Sequence, residues 1–347
     1  MHRSAMCHTA KAFVLCVPLI AVDAQAPIAI HPFGERFEIV DSVVLKSTQA
    51  NPIARISGVA ALSDGRFVVT DISEGTVRLY ARDGSLQSVL GGKGAGPGEF
   101  RAPVLPRVDL TGRIHVADIG LLRVTVFAPP SANGTPAVLR TVSIAGVIGA
   151  LFGFEILPSG DYLFSGVGPE KKRVLYRADS TGKRKASYLD VREYVRGPAV
   201  EPGVWEAITV TTLGTDGKNA YAALSTFDSL WTVDLVSGKT NAEKVPFARY
   251  QMPEAPKERF TSRNERRSWA TSQTVVAVFA TRNHVFMPVF QGTYNEGKIS
   301  DVAYRAAGSA WAIYSGMPAI LSVQGDTVIA LRSAEDDARV LRIRIKR

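Results

Sequence analysis

The chain has 347 residues, of which 46% are hydrophobic and 21% charged, and its formal net charge is +9. This composition excludes an intrinsically disordered chain, because such chains lack the apolar residues that build a core. The length allows one large domain or two ordinary ones. The basic balance favours anionic partners such as lipid headgroups or acidic glycans, and because the chain carries no nucleic-acid-binding motif we expect no nucleic-acid partner.

The first predicted element is an N-terminal apolar segment. Arg3 and Lys11 precede an apolar run of eleven residues from Ala12 to Val22, and small residues follow it. This is the pattern of a secretory signal peptide, and the run is too short to span a bilayer as a helix, which takes about 20 residues. We predict a signal peptide over residues 1–24, cleaved near residues 24–26. The protein is then secreted or periplasmic and has no membrane span after cleavage.

Both cysteines, Cys7 and Cys16, lie inside this segment. A lipoprotein signal would use Cys16, but Leu15 is bulky where a small residue is needed. A buried apolar strand is the other alternative for the segment. After cleavage the chain has no cysteine, which excludes thiol catalysis and cysteine metal sites.

The remainder of the chain repeats one unit six times. Each copy has a short apolar strand, a tight turn and a second strand rich in Val, Phe, Tyr and Ile, and the complete copies continue with two more strands. The turn pairs favour the positive φ of hairpins; they are Asp64-Gly65, Thr111-Gly112, Ser159-Gly160, Asp216-Gly217, Arg282-Asn283 and Gln324-Gly325. Four-stranded repeats of about 45 residues predict an all-β fold, a six-bladed β-propeller that forms a single domain over residues 37–347. A pair of β-sandwiches would not produce six copies of one unit.

The last copy lacks a fourth strand, while the segment from Phe37 to Lys46 has no nearby strand to pair with. We predict that this N-terminal strand closes the ring against the C-terminal blade. Along the C-terminal strand apolar and basic residues alternate, so we expect an exposed basic face that includes Arg342.

A glycine-rich run, GGKGAGPGEF, extends from Gly91 to Phe100. Lys93 is followed by Gly94 and no helix follows, so the run lacks the pattern of a phosphate-binding P-loop. We predict instead a crossover between the outermost strand of one blade and the innermost strand of the next. With LTGRIHVADIGLLRVTVF at residues 110–127, the run resembles the NHL repeat family, and this specific resemblance covers the first two copies. It implies a six-bladed propeller and fixes no activity, since the family and its look-alikes include binding modules, a peptide-amidating lyase and calcium-dependent lactonase-type enzymes.

Candidates for a catalytic or metal site are few. His115 and His284 differ by one in strand position, so we expect isolated side chains that do not converge, whereas the lyase look-alikes hold zinc with several histidines. Asp71 and Asp118 end equivalent strands and form either a calcium-binding carboxylate ring or caps of the following turns; we favour the caps. The predicted first strands offer little acidic character beyond Glu155. We therefore expect no catalytic residue, no metal and no cofactor.

The insertions in the repeat are expected on one face of the propeller, which also carries the glycine-rich run. They lie at residues 197–205, 246–269 and 291–298. The segment 253–269 carries five basic and three acidic residues, a net charge of +2, with aromatic residues interleaved. This mixture suits an anionic or glycan ligand, and a solvated loop over the central channel is the alternative.

We predict a monomeric, non-catalytic binding or scaffold protein for an unidentified protein or an anionic or glycan ligand. The predicted ligand-binding residues are Lys93, Trp205, Arg263, Arg266, Arg267, Trp269 and Tyr294. Two alternatives stay open at this point. One is a lactonase- or lyase-type enzyme with a metal in the central channel, and the other is a subunit of a larger envelope complex.

Overall fold

The computed structural model describes residues 29–131, 134–170, 172–190, 211–224, 227–247, 261–262, 264–265, 274–291, 298–334 and 337–346. The predicted signal peptide lies outside these residues. The described chain forms six four-stranded antiparallel blades in a ring, a β-propeller with 58% strand and 2% helix. The predicted fold class is therefore confirmed. No helix in the described ranges is long and apolar enough to cross a membrane.

Two strands and one helical turn precede the first blade. They are β1 (Ile30–Pro32), α1 (Phe33–Arg36) and β2 (Phe37–Val44). Blade 1 contains β3 (Ile56–Ala61), β4 (Phe67–Asp71), β5 (Thr76–Tyr80) and β6 (Leu86–Gly91). Blade 2 contains β7 (Pro103–Val108), β8 (Ile114–Asp118), β9 (Arg123–Phe127) and β10 (Val138–Ser143).

The next two blades follow the same order. Blade 3 contains β11 (Ala150–Ile156), β12 (Tyr162–Val167), β13 (Arg173–Ala178) and β14 (Arg184–Asp190). Blade 4 contains β15 (Thr211–Thr215), β16 (Asn219–Leu224), β17 (Ser229–Asp234) and β18 (Thr240–Lys244). In every blade except the fifth, the predicted turn between the first and second strands contains a glycine. These five glycines adopt φ between 56° and 93°, as hairpin turns require.

The last two blades depart from this order. Blade 5 contains β19 (Thr274–Val276) and β20 (Phe279–Ala280), which both pair with β21 (His284–Gln291), and then β22 (Lys298–Ala306) and β23 (Ala312–Ser315). Blade 6 contains β24 (Ala319–Gln324), β25 (Thr327–Ala334) and β26 (Asp337–Ile345), and its fourth strand is β2. The first strands of neighbouring blades contact one another all the way around the ring, so they surround the central axis.

The N-terminal segment closes the ring, as predicted. β2 pairs antiparallel with β26, with Phe37 opposite Ile345. β1 adds a parallel strand to the outer edge of blade 5, with Ile30 opposite Ile313. The segment therefore joins blade 5 to blade 6.

The hydrophobic core is divided among the six junctions between blades. Each of six buried clusters combines residues from two neighbouring blades; in one of them Leu163 of blade 3 joins Trp231 of blade 4. Because each sheet packs on both sides, its central strands are buried on both faces, as β4 and β8 are along their whole length. Burial of apolar area at every junction stabilises the ring as a unit.

The expected basic face of β26 is interrupted at Arg342. Its guanidinium carbon lies 4.6 Å from the centroid of the Phe67 ring in blade 1, and its Nη2 donates to the carbonyl oxygen of Gly65. Arg342 thus spans the seam between the last and first blades. The expectation of a fully exposed basic face was wrong at this residue, because the neighbouring blade covers it.

Candidate functional site

The central channel contains a charged pair between two first strands. Nε and Nη2 of Arg107 on β7 donate to Oε1 of Glu155 on β11 at 3.0 and 2.8 Å. Ser322 and Gln324 of β24 line the same space, which has a volume of about 110 Å³. Among the described residues, no group of three or more His, Cys, Asp and Glu side chains could hold a metal ion. The acidic residue predicted near the axis is therefore engaged by an arginine.

Asp71 caps the turn that follows its strand. Its Oδ1 accepts from the backbone N–H groups of Ser73 and Glu74 at 3.0 and 3.1 Å. Its Oδ2 accepts from the N–H groups of Ala54 and Arg55 at 2.7 and 3.1 Å. Four backbone donors satisfy this buried carboxylate.

Asp118 repeats the arrangement in blade 2. Its Oδ1 accepts from the N–H groups of Gly120 and Leu121 at 2.8 and 3.0 Å, and the N–H groups of Arg101 and Ala102 donate to the same carboxylate. The predicted capping role is confirmed at both aspartates. Each one also fastens the crossover that precedes its blade to the turn between the second and third strands.

Backbone N–H groups of the glycine-rich run bind the carboxylate of a glutamate in the same run. The run connects β6 to β7, as predicted. The N–H groups of Ala95 and Gly96 donate to Oε2 of Glu99 at 2.9 and 2.7 Å. Arg123 fixes the loop by donating to the carbonyl oxygens of Ala95, Gly96 and Glu99. The carboxylate of Glu99 thus occupies the backbone N–H donors that a bound phosphate would use, and the run serves as a crossover.

Of the predicted ligand-binding residues, Lys93 is among the described residues; its side chain is exposed, and Phe100, its bridge partner, is buried. The others lie outside the described residues; they are Trp205, Arg263, Arg266, Arg267, Trp269 and Tyr294. The described part of the largest insertion is ordered locally by Glu265. Its carboxylate accepts from the N–H and Oγ1 of Thr261 at 2.8 Å, and these hydrogen bonds lower the pKa of Glu265.

The two strand histidines are not isolated, in contrast to the expectation from sequence. In His115 of blade 2, Nδ1 lies 3.2 Å from the Tyr162 hydroxyl of blade 3 and Nε2 lies 3.1 Å from Oδ2 of Asp109. In His284 of blade 5, Nδ1 lies 2.9 Å from the Tyr304 hydroxyl and Nε2 lies 2.9 Å from Oδ1 of Asp326 in blade 6. Each histidine therefore links two neighbouring blades.

The His115 link does not behave as an exposed acid–base group. Burial lowers the pKa of His115 below its ordinary value, although the Asp109 carboxylate acts to raise it. Burial also raises the pKa of the Tyr162 hydroxyl. The imidazole is thus neutral near pH 7, and the His115 side chain is only 4% exposed. This geometry fits a clamp between blades rather than a base that meets a substrate.

The sequence alone gives little indication of these links between blades. Asp109 lies within six residues of His115, but Tyr162 follows 47 residues later. The contact depends on how blade 3 packs against blade 2. The repeat pattern alone does not give that packing register.

No family model and no curated protein matches the chain. In fold the chain is similar to a candidate exported protein from Bacteroides fragilis, with a TM-score of 0.62 and 13% identity over 92% of this chain and 99% of the other. It is similar to a member of the DUF4221 family from Bacteroides vulgatus, with a TM-score of 0.56 and 11% identity over 90% and 99% of the two chains. It is also similar to virginiamycin B lyase from Staphylococcus aureus, with a TM-score of 0.50 and 10% identity over 89% and 100%.

These neighbours are propellers. At such identities the likeness extends to the fold alone. The resemblance of the first two blades to NHL repeats stays a prediction.

Proposed function

We propose that this protein is an exported propeller that binds a protein or an anionic or glycan ligand without catalysis of its own. The observation that carries this choice is the pair between Arg107 and Glu155 in the central channel. A metal-dependent enzyme of the lactonase or lyase type needs carboxylates free to coordinate the metal. Here the arginine competes for the acidic residue that the first strands place near the axis.

The strand directions support one face as the binding surface. Consecutive strands in a blade run in opposite directions, so connections from a fourth strand to the next first strand emerge on the same face as turns from a second to a third strand. We call this the loop face. The glycine-rich run belongs to it, and we propose that the insertions at residues 197–205, 246–269 and 291–298 do as well. We propose that Lys93 and the other predicted ligand-binding residues form the site there.

The caps at Asp71 and Asp118 also support a functional loop face. Each carboxylate ties a crossover to a neighbouring turn through four backbone hydrogen bonds. Such fastening limits the conformational freedom that the loops would lose when a ligand binds. Export rests on the predicted signal peptide, and the likeness to a candidate exported protein agrees with it.

The test is charge reversal in the largest insertion. Arg266→Glu with Arg267→Glu should weaken retention on immobilised heparin, an anionic glycan, and should weaken capture of envelope proteins in a pull-down. The matched control is Arg113→Glu with Lys183→Glu, which makes the same change in net charge at exposed residues on the opposite face. Equal retention of wild type and the insertion variant, or equal losses in both variants, would refute the site assignment.

A further inference from the structure

A groove lies on the face opposite the loop face, between blades 4 and 5. We call it the turn-face groove. Two turns of blade 5, at residues 281–285 and 305–309, form most of its lining, and Tyr221 of β16 completes it from blade 4. Its volume is about 340 Å³, which is within the range of small-ligand sites.

The cationic side of the groove is formed by two arginines. Nη1 of Arg305 donates to Oε2 of Glu243 at 2.8 Å, and its guanidinium carbon lies 4.5 Å from the centroid of the Trp311 ring. The guanidinium is therefore held in one orientation before any ligand arrives. Arg282 is exposed and forms no ion pair with the described part of the chain.

The acidic side chains around the groove are already engaged. Asp216 accepts from the N–H groups of Lys218 and Asn219 at 2.8 and 2.6 Å and from the Tyr221 hydroxyl at 2.8 Å. Glu243 accepts from Arg305, and Asp326 contacts His284. Among the described residues of the groove, Arg282 is therefore the exposed side chain that can offer its N–H donors to an incoming ligand.

The neutral groups of the groove suit hydroxyls. Burial, followed by the hydrogen bond to Asp216, raises the pKa of Tyr221 to about 12, so its hydroxyl stays protonated and its oxygen can accept a further bond. Asn283 adds an amide to the lining.

We propose that the turn-face groove binds a small hydroxylated carboxylate of about monosaccharide size, in the class of the uronic acids. Arg282 and Arg305 receive the carboxylate, because a guanidinium matches its planar geometry. Asn283 and Tyr221 receive the hydroxyls. This site is separate from the loop face and does not depend on the proposed function.

The test is titration calorimetry with D-galacturonate at about 0.15 M salt, where weak surface attraction is screened. Neutral D-galactose, which has the same ring, should bind at least about tenfold more weakly, because it lacks the charged hydrogen bonds. Arg282→Met should weaken galacturonate binding by a similar factor. Arg113→Met, an exposed arginine in the corresponding turn of blade 2, should leave it unchanged.

Tyr221→Phe is the second variant, since it removes one hydroxyl at nearly constant volume. It should weaken the binding of galacturonate while the weak binding of acetate stays the same. Melting curves for each variant check the fold. No saturable binding of galacturonate, equal binding of both sugars, or equal losses in the Arg282 and Arg113 variants would overturn the proposal.

Discussion

Gly91 shows at the scale of single residues why the crossover is rich in glycine. A Cβ at Gly91 would overlap the carbonyl oxygen of Gly98 and lie 2.6 Å from Cε2 of Phe100, whereas a Cβ at Gly92 would meet nothing within 4 Å. We predict that Gly91→Ala lowers the free energy of unfolding by about 1–3 kcal/mol, as overpacking does. Gly92→Ala is the matched control and should change it by less than about 1 kcal/mol. Urea denaturation of both variants measures this difference in stability. Equal midpoints would contradict the close packing of the run.

A second prediction concerns the pH dependence of stability and rests on His115. Its folded-state pKa lies below the unfolded value of about 6.5. The stabilisation from the neutral ring is therefore complete above pH 6.5 and is lost as the pH falls through the folded pKa, at up to about 1.4 kcal/mol per pH unit. Lowering the pH from 7.5 to 5.5 should thus reduce the Tm of the wild type more than that of His115→Gln.

The titration of Asp109 does not contribute to the change in Tm over this pH range. Burial raises the pKa of Asp109, but hydrogen bonds from Thr111, His115 and Arg113 outweigh it and hold the pKa below its ordinary value. The carboxylate therefore stays ionised throughout this pH window. Equal changes in Tm for the two proteins would show that His115 takes up no extra proton on unfolding.

Residue roles were predictable where the partners are close in sequence. The caps at Asp71 and Asp118 follow from an acidic residue placed just before a turn. The anchoring of Glu99 was not predictable, because the loop must first fold back before the N–H groups of Ala95 and Gly96 reach its carboxylate. Arg78 is only 2% exposed, and its Nη2 donates to the carbonyl oxygen of Pro52 at 2.7 Å, a contact 26 residues back in the chain that the local alternation does not predict.

At the scale of elements, the N-terminal strap formed by β1, α1 and β2 determines how the ring closes. Phe37 is 1% exposed, and its ring centroid lies 5.1 Å from that of Tyr314 and 5.4 Å from that of Tyr304. Phe37→Ala should lower the free energy of unfolding by about 3–5 kcal/mol through the cavity it leaves. Val40→Ala, in the same strand but 49% exposed, should cost less than about 1 kcal/mol. Similar losses in the two variants would contradict a ring held closed by Phe37.

The strands of the six blades were predictable because their alternation and turn pairs recur. β1 was not, since three residues are too few to show a period. The first strand of blade 5 is divided into β19 and β20 opposite Pro288, which has no N–H to donate. The N–H of Val278 instead donates to Oγ1 of Thr212 in blade 4 at 2.6 Å. That division depends on two other strands and is not visible in the local sequence.

At the scale of the whole molecule, the ring has two faces, and we propose a different binding site on each. The loop face carries the glycine-rich run, and the opposite face carries the turn-face groove. The insertions lie largely outside the described residues, so their place on the loop face stays a prediction from strand order. The turn-face groove was not predicted, since Tyr221, Arg282 and Arg305 come from separate strands and turns and meet only when blades 4 and 5 pack together.

The central claim is that this propeller binds rather than catalyses with an axial metal. The most direct measurement is elemental analysis of the purified mature protein together with melting curves in calcium and in EDTA. With Glu155 held by Arg107, we predict no stoichiometric metal and the same Tm in both solutions. A stoichiometric metal and a Tm that falls in EDTA would contradict the account, because ligand binding stabilises the folded state by mass action, and lactones and esters would then be the substrates to screen.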